Sequence, residues 1–435
     1  MRGRQLEEVA PREENAKPGL TTKRNLRILF FSDNFPPEIN APATRTFEHC
    51  SNWAAAGCRI TVITCAPNFP RGRVYEGYRN RLWQREKIGN IDVIRVWSFM
   101  APNTGTVRRI IDYISYMISA SIASMFVAKP DVIVATSPQF FTLGAGWFAS
   151  FIHRRPWVFE LRDIWPESIE AVAAMRRSML LRVLEGLERF FYRSADRIVA
   201  VASAFRTKLV ARGVDGGKID IVTNGVLLDH FKPDTSEGER KRAELGLQGK
   251  FLIGYIGTHG LAHALETVLD AATEARRHPD LADVHFLFVG DGARKEELVQ
   301  TAAGASNVTF LPPVGKQELS AVYNALDGAI AHLRKTELLT GIIPSKIFEY
   351  MASGVPVLIG VYGEARDLVV NGGAGLAFEP ESSMDLVRVI RAIRDPQTHR
   401  ALSSGGVATA SLYSRPVLAG RMLDILEQVA GGVRA

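Results

Sequence analysis

The chain has 435 residues, 46% hydrophobic and 23% charged, with 53 Lys and Arg against 46 Asp and Glu. This balance fits a globular protein of about two domains, each able to bury a full core, and the net charge of +7 is too mild to select a partner. The three cysteines, Cys50, Cys58 and Cys65, are odd in number and match no zinc spacing. They read as reduced thiols of a cytoplasmic protein, which sets aside a disulfide framework.

Residues 1–24 are polar and charged, lack the apolar core of a signal peptide, and read as a disordered leader. Short apolar runs then alternate with helical stretches. Strands are expected at 26–31, 59–64, 91–97, 131–135, 157–161, 197–201 and 219–222, with crossover helices such as 44–56 and 178–193. Nearly all these runs are continuously apolar, as in a parallel sheet covered on both faces. Residues 110–128 form the longest apolar run. Asp112, the interspersed serines and the strand that follows argue against a membrane span, leaving a half-buried or a membrane-touching helix. Residues 232–243 (KPDTSEGERKRA) are polar, contain Pro233 and Gly238, and read as an interdomain linker. The alternation restarts with strands at 251–256, 284–289, 308–311, 328–332 and 355–359, and helices at 262–277, 294–302, 316–325, 345–352 and 382–394. The tail at 411–430 reads as an amphipathic helix able to cross back onto the first half. The expected fold class is α/β. Two Rossmann-like, doubly wound domains, 25–235 and 236–410, face a cleft and are followed by the 411–435 tail.

Ligands belong at the carboxyl ends of such strands. In the second half, the first strand runs into IGYIGTHGLAHAL (253–265). Gly257 and Gly260 let backbone N–H groups approach a phosphate, Thr258 adds a hydroxyl, His259 lies between them, and a nearby helix start favours negative charge. The same residues also suit an ordinary tight turn. VGDG (289–292) brings Gly290, with Arg294 close behind, toward a base or ribose. LPPV (311–314) brings Pro313 and Val314 and offers free carbonyls to a planar base. The densest cluster is LRKTELLTGIIPSKIFEYMASGVP (333–356). Pro344 and Ser345 start a helix there. Lys346 can meet phosphate oxygens, Glu349 one turn on can accept from a ribose diol, and Arg334 and Lys335 add positive charge. The bland alternative is a surface Lys–Glu pair.

In the first half, SDNFPPEINAPATR (32–45) carries Asn40 and Arg45 toward the acceptor side of the cleft. ELRDIWPES (160–168) places Arg162 and Asp163 at a strand end. Asp163 either orients or deprotonates an attacking hydroxyl, or pairs with Arg162 or caps the helix after Pro166. Residues 71–109 hold nine Arg and Lys against three Asp and Glu, with aromatics interleaved. Such a stretch suits a diphosphate-bearing acceptor, an anionic membrane surface or single-stranded nucleic acid, or is simply a solvated loop.

Residues 195–233, 253–272, 288–299 and 343–360 together resemble the family 4 retaining glycosyltransferases of GT-B fold, a resemblance that extends over residues 26–430. FPPEINAPATR (35–45) and FELRDIWPESI (159–169) resemble more narrowly the WbuB-type bacterial aminodeoxysugar transferases of O-antigen and capsule assembly. The resemblance implies that Glu349 is the second glutamate of an E-x7-E motif and binds the donor ribose. The first glutamate falls at Gly341 and is absent, which fits an unusual or deoxygenated sugar. Many members carry an Arg and a Lys after the second domain's first strand, near the places where Thr258 and His263 stand here. That leaves Lys335 and Lys346 to supply charge to the diphosphate. Asp163 falls where relatives place a His or Asp near the reacting carbon.

The implied reaction moves an N-acetylated amino or deoxy hexose from a nucleoside diphosphate, UDP first among them, to a hydroxyl with retention. The acceptor is a saccharide or a polyprenyl-diphosphate sugar. No DxD run stands at a strand end, so neither a metal nor another cofactor is expected. The expected location is cytoplasmic, peripheral on the inner face of the membrane, with no nucleic-acid partner. The alternatives are a GT-B-fold sugar-nucleotide epimerase and a non-catalytic nucleotide or nucleic-acid binder. Alanine at Lys346 and Glu349 separates an enzyme from the latter. A Rossmann oxidoreductase lacks support, because no GxGxxG follows either first strand.

Overall fold

The computed structural model describes residues 25–100, 106–164, 179–336 and 341–432. The expected leader, and residues 165–168 of the ELRDIWPES run, lie outside the described residues. Two sheets organise the chain. The first has the order β3-β4-β2-β1-β5-β6-β7-β8. Its strands are β1 (Arg27–Phe31), β2 (Arg59–Cys65), β3 (Trp83–Ile88), β4 (Ile91–Val96), β5 (Val132–Thr136), β6 (Trp157–Leu161), β7 (Arg197–Ala200) and β8 (Ile219–Ile221). The second has the order β11-β10-β9-β12-β13-β14. It contains β9 (Phe251–Ile256), β10 (Val284–Val289), β11 (Val308–Leu311), β12 (Gly328–His332), β13 (Val357–Gly360) and β14 (Gly375–Ala377). Pairing is parallel except between β3 and β4.

Ile, Val and Phe side chains of the central strands are buried on both faces. Phe31, Ile63, Ile133 and Trp157 pack under helices Thr106–Ser124 and Thr142–His153. Phe30, Val62 and Val134 pack under helices Ala41–Ala55 and Arg415–Gly431. β3 was missing from the sequence expectation. It is an antiparallel edge strand whose residues alternate between exposed and half-buried, so it has no continuous apolar run. The strand order reverses at β1 in one sheet and at β9 in the other. The crevices beside those strand ends are where a doubly wound sheet takes ligands.

The stretch expected as a linker is a helix, Thr235–Leu245. Asp234 caps it by accepting from the Glu237 N–H at 2.9 Å, and Gly246 closes it at φ 68°. Arg242 fixes it to the second domain through the Ala325 carbonyl and Asp327, each at 2.8 Å. Its polar composition reflects a solvated face rather than a flexible connection. The tail is two helices, Pro396–Leu412 and Arg415–Gly431, and the second packs on the first domain, where Trp53 Nε1 donates to the Ala419 carbonyl at 2.8 Å. The outgoing and returning chains cross side by side. Val226 N donates to the Tyr413 carbonyl at 3.0 Å, and Arg415 N to the Val226 carbonyl at 2.9 Å.

The carboxyl edges of the two sheets oppose one another. Ser203, just past β7, donates through its N–H and Oγ to the Glu364 carboxylate beyond β13, at 2.7 and 2.9 Å. Helix Thr106–Ser124 covers one sheet face, and no helix among the described residues is long and apolar enough to cross a membrane.

Candidate active site

On the second domain, β9 ends at Gly257, whose φ of 141° favours glycine. A Cβ there would lie 2.6 Å from Lys346 Nζ. Gly290, at φ 144°, ends β10 against the Gly257 carbonyl oxygen, which any Cβ would overlap. Gly290→Ala is therefore expected to lower unfolding stability by about 1–3 kcal/mol and to displace the Gly257 turn. Chemical denaturation and nucleotide titration of that variant measure both effects. Lys295, not singled out from sequence, braces this corner by donating to the Gly290 carbonyl at 2.7 Å and the Leu311 carbonyl at 3.3 Å.

Lys346 opens helix Lys346–Ala352, whose Ile347, Phe348, Tyr350 and Met351 are buried. Pro344 and Ser345 precede it, and the Ser345 hydroxyl makes no capping bond, so the expected N-cap bond is absent. Tyr350 Oη ties the helix to β9 through the N–H and carbonyl of Ile256, both at 3.3 Å. Lys346 and Glu349 share the other face. The ammonium lies over the Tyr255 ring, 4.1 Å from its centroid. Among the described residues no hydrogen-bond acceptor holds it. Burial pulls it down to about 8, against the opposing attraction of Glu349. Glu349 Oε2 accepts from Tyr323 Oη at 2.7 Å, which orients the carboxylate.

Several expected donor contacts stand differently. Arg334 pairs with Glu266 and Glu381 and donates to the Leu261 carbonyl, while Lys335 pairs with Glu379 at 2.7 Å. Their charge is thus met within the domain, because acidic residues 44 to 68 positions away fold against them. His259 is fully buried among Tyr255, Phe288 and Phe310. Burial, followed by Lys295 and Lys346, lowers its ring to about 4, and it spaces the turn from inside. The expected helix start after Gly260 is a 3-10 turn, Leu261–His263, and the helix itself begins at Glu266. Thr258 remains exposed at the turn. Arg294 Nη2 donates to Glu297 at 2.7 Å. Pro313 is exposed beyond β11, and Val314 packs partly on the core. Gly341 faces the first domain, where an added Cβ would sit 2.8 Å from Ala204 Cβ, so a larger residue there meets the opposite lobe.

Across the cleft, Asp33 beyond β1, Ser137 beyond β5, and Arg162 with Asp163 beyond β6 gather at the carboxyl edge. Ser137 Oγ accepts from the N–H groups of Arg162 (2.8 Å) and Asp163 (3.3 Å). Burial raises the Asp163 carboxyl, partly offset by Arg162. Burial likewise raises Asp33 to about 6, and this neighbour was not read from sequence. The Arg162 guanidinium is lowered to about 10 by burial, and its Nε and Nη1 have no partner among the described residues. Arg45 is a strut and not an acceptor contact. It donates to Glu160 at 2.8 Å, Thr223 O at 2.7 Å and Val222 O at 2.9 Å. Asn40 caps helix Ala41–Ala55 by accepting from Ala43 N at 2.9 Å and donates to Asn34 Oδ1 at 2.6 Å. Among the described residues no group of three or more His, Cys, Asp or Glu is arranged to hold a metal ion.

Residues 40–225 match the family model described as "Glycosyl transferase 4-like domain", and residues 250–395 match "Glycosyl transferases group 1". The chain belongs to the family 4 glycosyltransferases. This transferase is 24% identical over 378 residues to WcaI of Escherichia coli (strain K12), a glycosyl transferase assigned to colanic acid biosynthesis, covering 84% of this chain and 91% of that one. It is 28% identical over 294 residues to the sulfoquinovosyl transferase SQD2 of Arabidopsis thaliana, covering 66% of this chain and 54% of that one. Anabaena Alr3699/HepE in complex with UDP-glucose superposes with TM-score 0.65 at 21% identity, over 93% of the transferase and all of HepE. WaaG, a glycosyltransferase involved in lipopolysaccharide biosynthesis, superposes with TM-score 0.62 at 15% identity, over 92% and 99% of the two chains. These superpositions place the transferase in the GT-B fold.

Proposed function

We propose that the transferase moves an N-acetylated amino or deoxy hexose from a nucleoside diphosphate, UDP first among candidates, to a hydroxyl of a lipid-linked saccharide, with retention, in surface polysaccharide synthesis. The observation that carries this reading is the desolvated Lys346 ammonium at the Gly257 turn, one helical turn from Glu349. In the transition state the departing diphosphate gains charge, and a fixed cation there stabilises it more than it stabilises the bound donor. Glu349, held by Tyr323, is assigned to the ribose. Asp163 and Arg162 are assigned to the acceptor hydroxyl from the facing edge, and no metal ion is required. The roles of WcaI in colanic acid biosynthesis and of WaaG in lipopolysaccharide biosynthesis, and the UDP-glucose bound to HepE, support the polysaccharide and UDP parts. The exposed Ile111, Ile118 and Ile122 on helix Thr106–Ser124 support a peripheral membrane position.

Thermal-shift titration with UDP-, GDP- and dTDP-sugars tests the donor class, and stabilisation by none of them would overturn it. The pH dependence has a defined sign. Lys346 binds a diphosphate when protonated, and its unliganded pKa is about 8. UDP-sugar affinity is therefore expected to be flat below pH 7, since the doubly esterified diphosphate of the donor does not titrate there. Above pH 8 it should weaken by up to about ten-fold per pH unit until the bound-state pKa is passed. Calorimetric titration from pH 6 to 9.5 follows this, and Lys346→Met is expected to lack the inflection.

A further inference from the structure

On the edge of the first sheet opposite the cleft, the amino ends of β1, β2, β5 and β6 surround an open pocket of ≈ 310 Å³. Asn25, Arg27, Arg59, Lys129, Asp131 and Arg155 line it. Asp131 is committed to the sheet, where its carboxylate accepts from the Arg27 N–H at 2.9 Å. Among the described residues, none of the four cationic side chains makes a hydrogen bond or ion pair. Arg155 Nε is buried without a partner. Four like charges converging on one space repel, and an anion placed among them relieves that repulsion. Arginine forks suit the oxygens of a phosphate in particular.

Exposed apolar residues shortly precede Lys129 and Arg155 in the chain, and Phe126 among them packs edge-on against Trp83. His153 Nε2 lies 2.8 Å from the Ser124 carbonyl, which joins the ends of helices Thr106–Ser124 and Thr142–His153. The residues flanking that junction are exposed: Met125 45%, Phe126 66%, Phe151 70% and Ile152 44%. Lys129 follows Phe126 by three residues, and Arg155 follows Phe151 by four. Ile111, Ile118 and Ile122 on helix Thr106–Ser124 are also exposed, as is Trp147, which stacks on Phe151. No charged residue lies on helix Thr106–Ser124 beyond Asp112.

We infer that this pocket seats the phosphate headgroup of an anionic phospholipid while Phe126 and Phe151 enter the acyl boundary. The site rests on the peripheral membrane position proposed above and assigns it to a particular edge of the fold. Phosphate oxygens meet the guanidinium forks, and the lipid tails meet the exposed apolar residues, a combination a free phosphate does not need.

Flotation of the full chain at low salt, on phosphatidylglycerol-containing and on pure phosphatidylcholine vesicles, tests it. The wild type is expected to float with the anionic vesicles only. Lys129→Glu/Arg155→Glu is expected to lower the bound fraction at least about ten-fold. Arg240→Glu/Arg400→Glu changes net charge equally on the second domain and is expected to float like wild type. Equal behaviour of the two double variants would overturn the pocket while leaving membrane association intact. A wild type that stays unbound, yet is stabilised by inorganic pyrophosphate through Lys129 and Arg155, would show a soluble-phosphate site and overturn the lipid assignment. Thermal stabilisation by UDP in every variant reports an intact fold and cleft, so a failed lipid site and a failed donor site read separately.

Discussion

Lys346→Met is expected to lower kcat/KM for nucleoside-diphosphate release by about 10²–10³-fold, the usual cost of removing one preorganised group that meets developing charge. Methionine keeps most of the aliphatic packing on the Tyr255 ring and removes the ammonium. Since burial already disfavours that ammonium, its loss is not expected to lower the unfolding midpoint. The informative signature is therefore a collapse of turnover at preserved or raised stability. The nearby cations do not substitute, because Arg334 and Lys335 are already paired with carboxylates. A Lys346→Met protein with undiminished turnover would remove the diphosphate role from this residue.

Arg45→Met is expected to be the most destabilising single change in the first domain. It leaves Glu160 buried without its ion-pair partner and leaves the Thr223 and Val222 carbonyls unanswered, at a cost of about 3–5 kcal/mol. The pH dependence provides a second handle. Burial alone would raise Glu160, but Arg45, then Arg162 and His49, outweigh it and hold the carboxyl at about 2. A depressed carboxyl contributes stability above its unfolded pKa of 4.5 and loses that contribution as pH falls toward 2. Wild-type denaturation midpoints should therefore drop between pH 4.5 and 2. In Arg45→Met that slope should shrink, which equilibrium unfolding at several pH values will show.

The parallel architecture is legible in the sequence because central strands such as VIVAT (132–136) and VHFLFV (284–289) are buried on both faces and carry no alternation. The Lys346–Glu349 face is legible because helical spacing is local. Partnerships set by tertiary closure are not. Glu160 lies 115 residues from Arg45, and Glu379 lies 44 from Lys335, so no window of sequence separates a paired cation from a waiting one. Gly257 to Gly260 looks like a phosphate turn whether or not His259 faces inward. Its burial depends on Phe288 and Phe310, stacked on neighbouring strands. Helix Thr235–Leu245 was hidden by its own solubility, since only Gly238 and Lys241 are buried. Gly238 marks close contact with the Asn324 carbonyl rather than a turn.

The paired crossings at Val226 and Tyr413–Arg415 have a mechanical meaning. Lobes joined by one thread can spin about it, whereas lobes joined by two adjacent threads behave like a door on its frame. A swing of one half against the other is therefore expected to follow the line through those crossings. Because helix Arg415–Gly431 is clamped by Trp53, the second thread is anchored in both lobes.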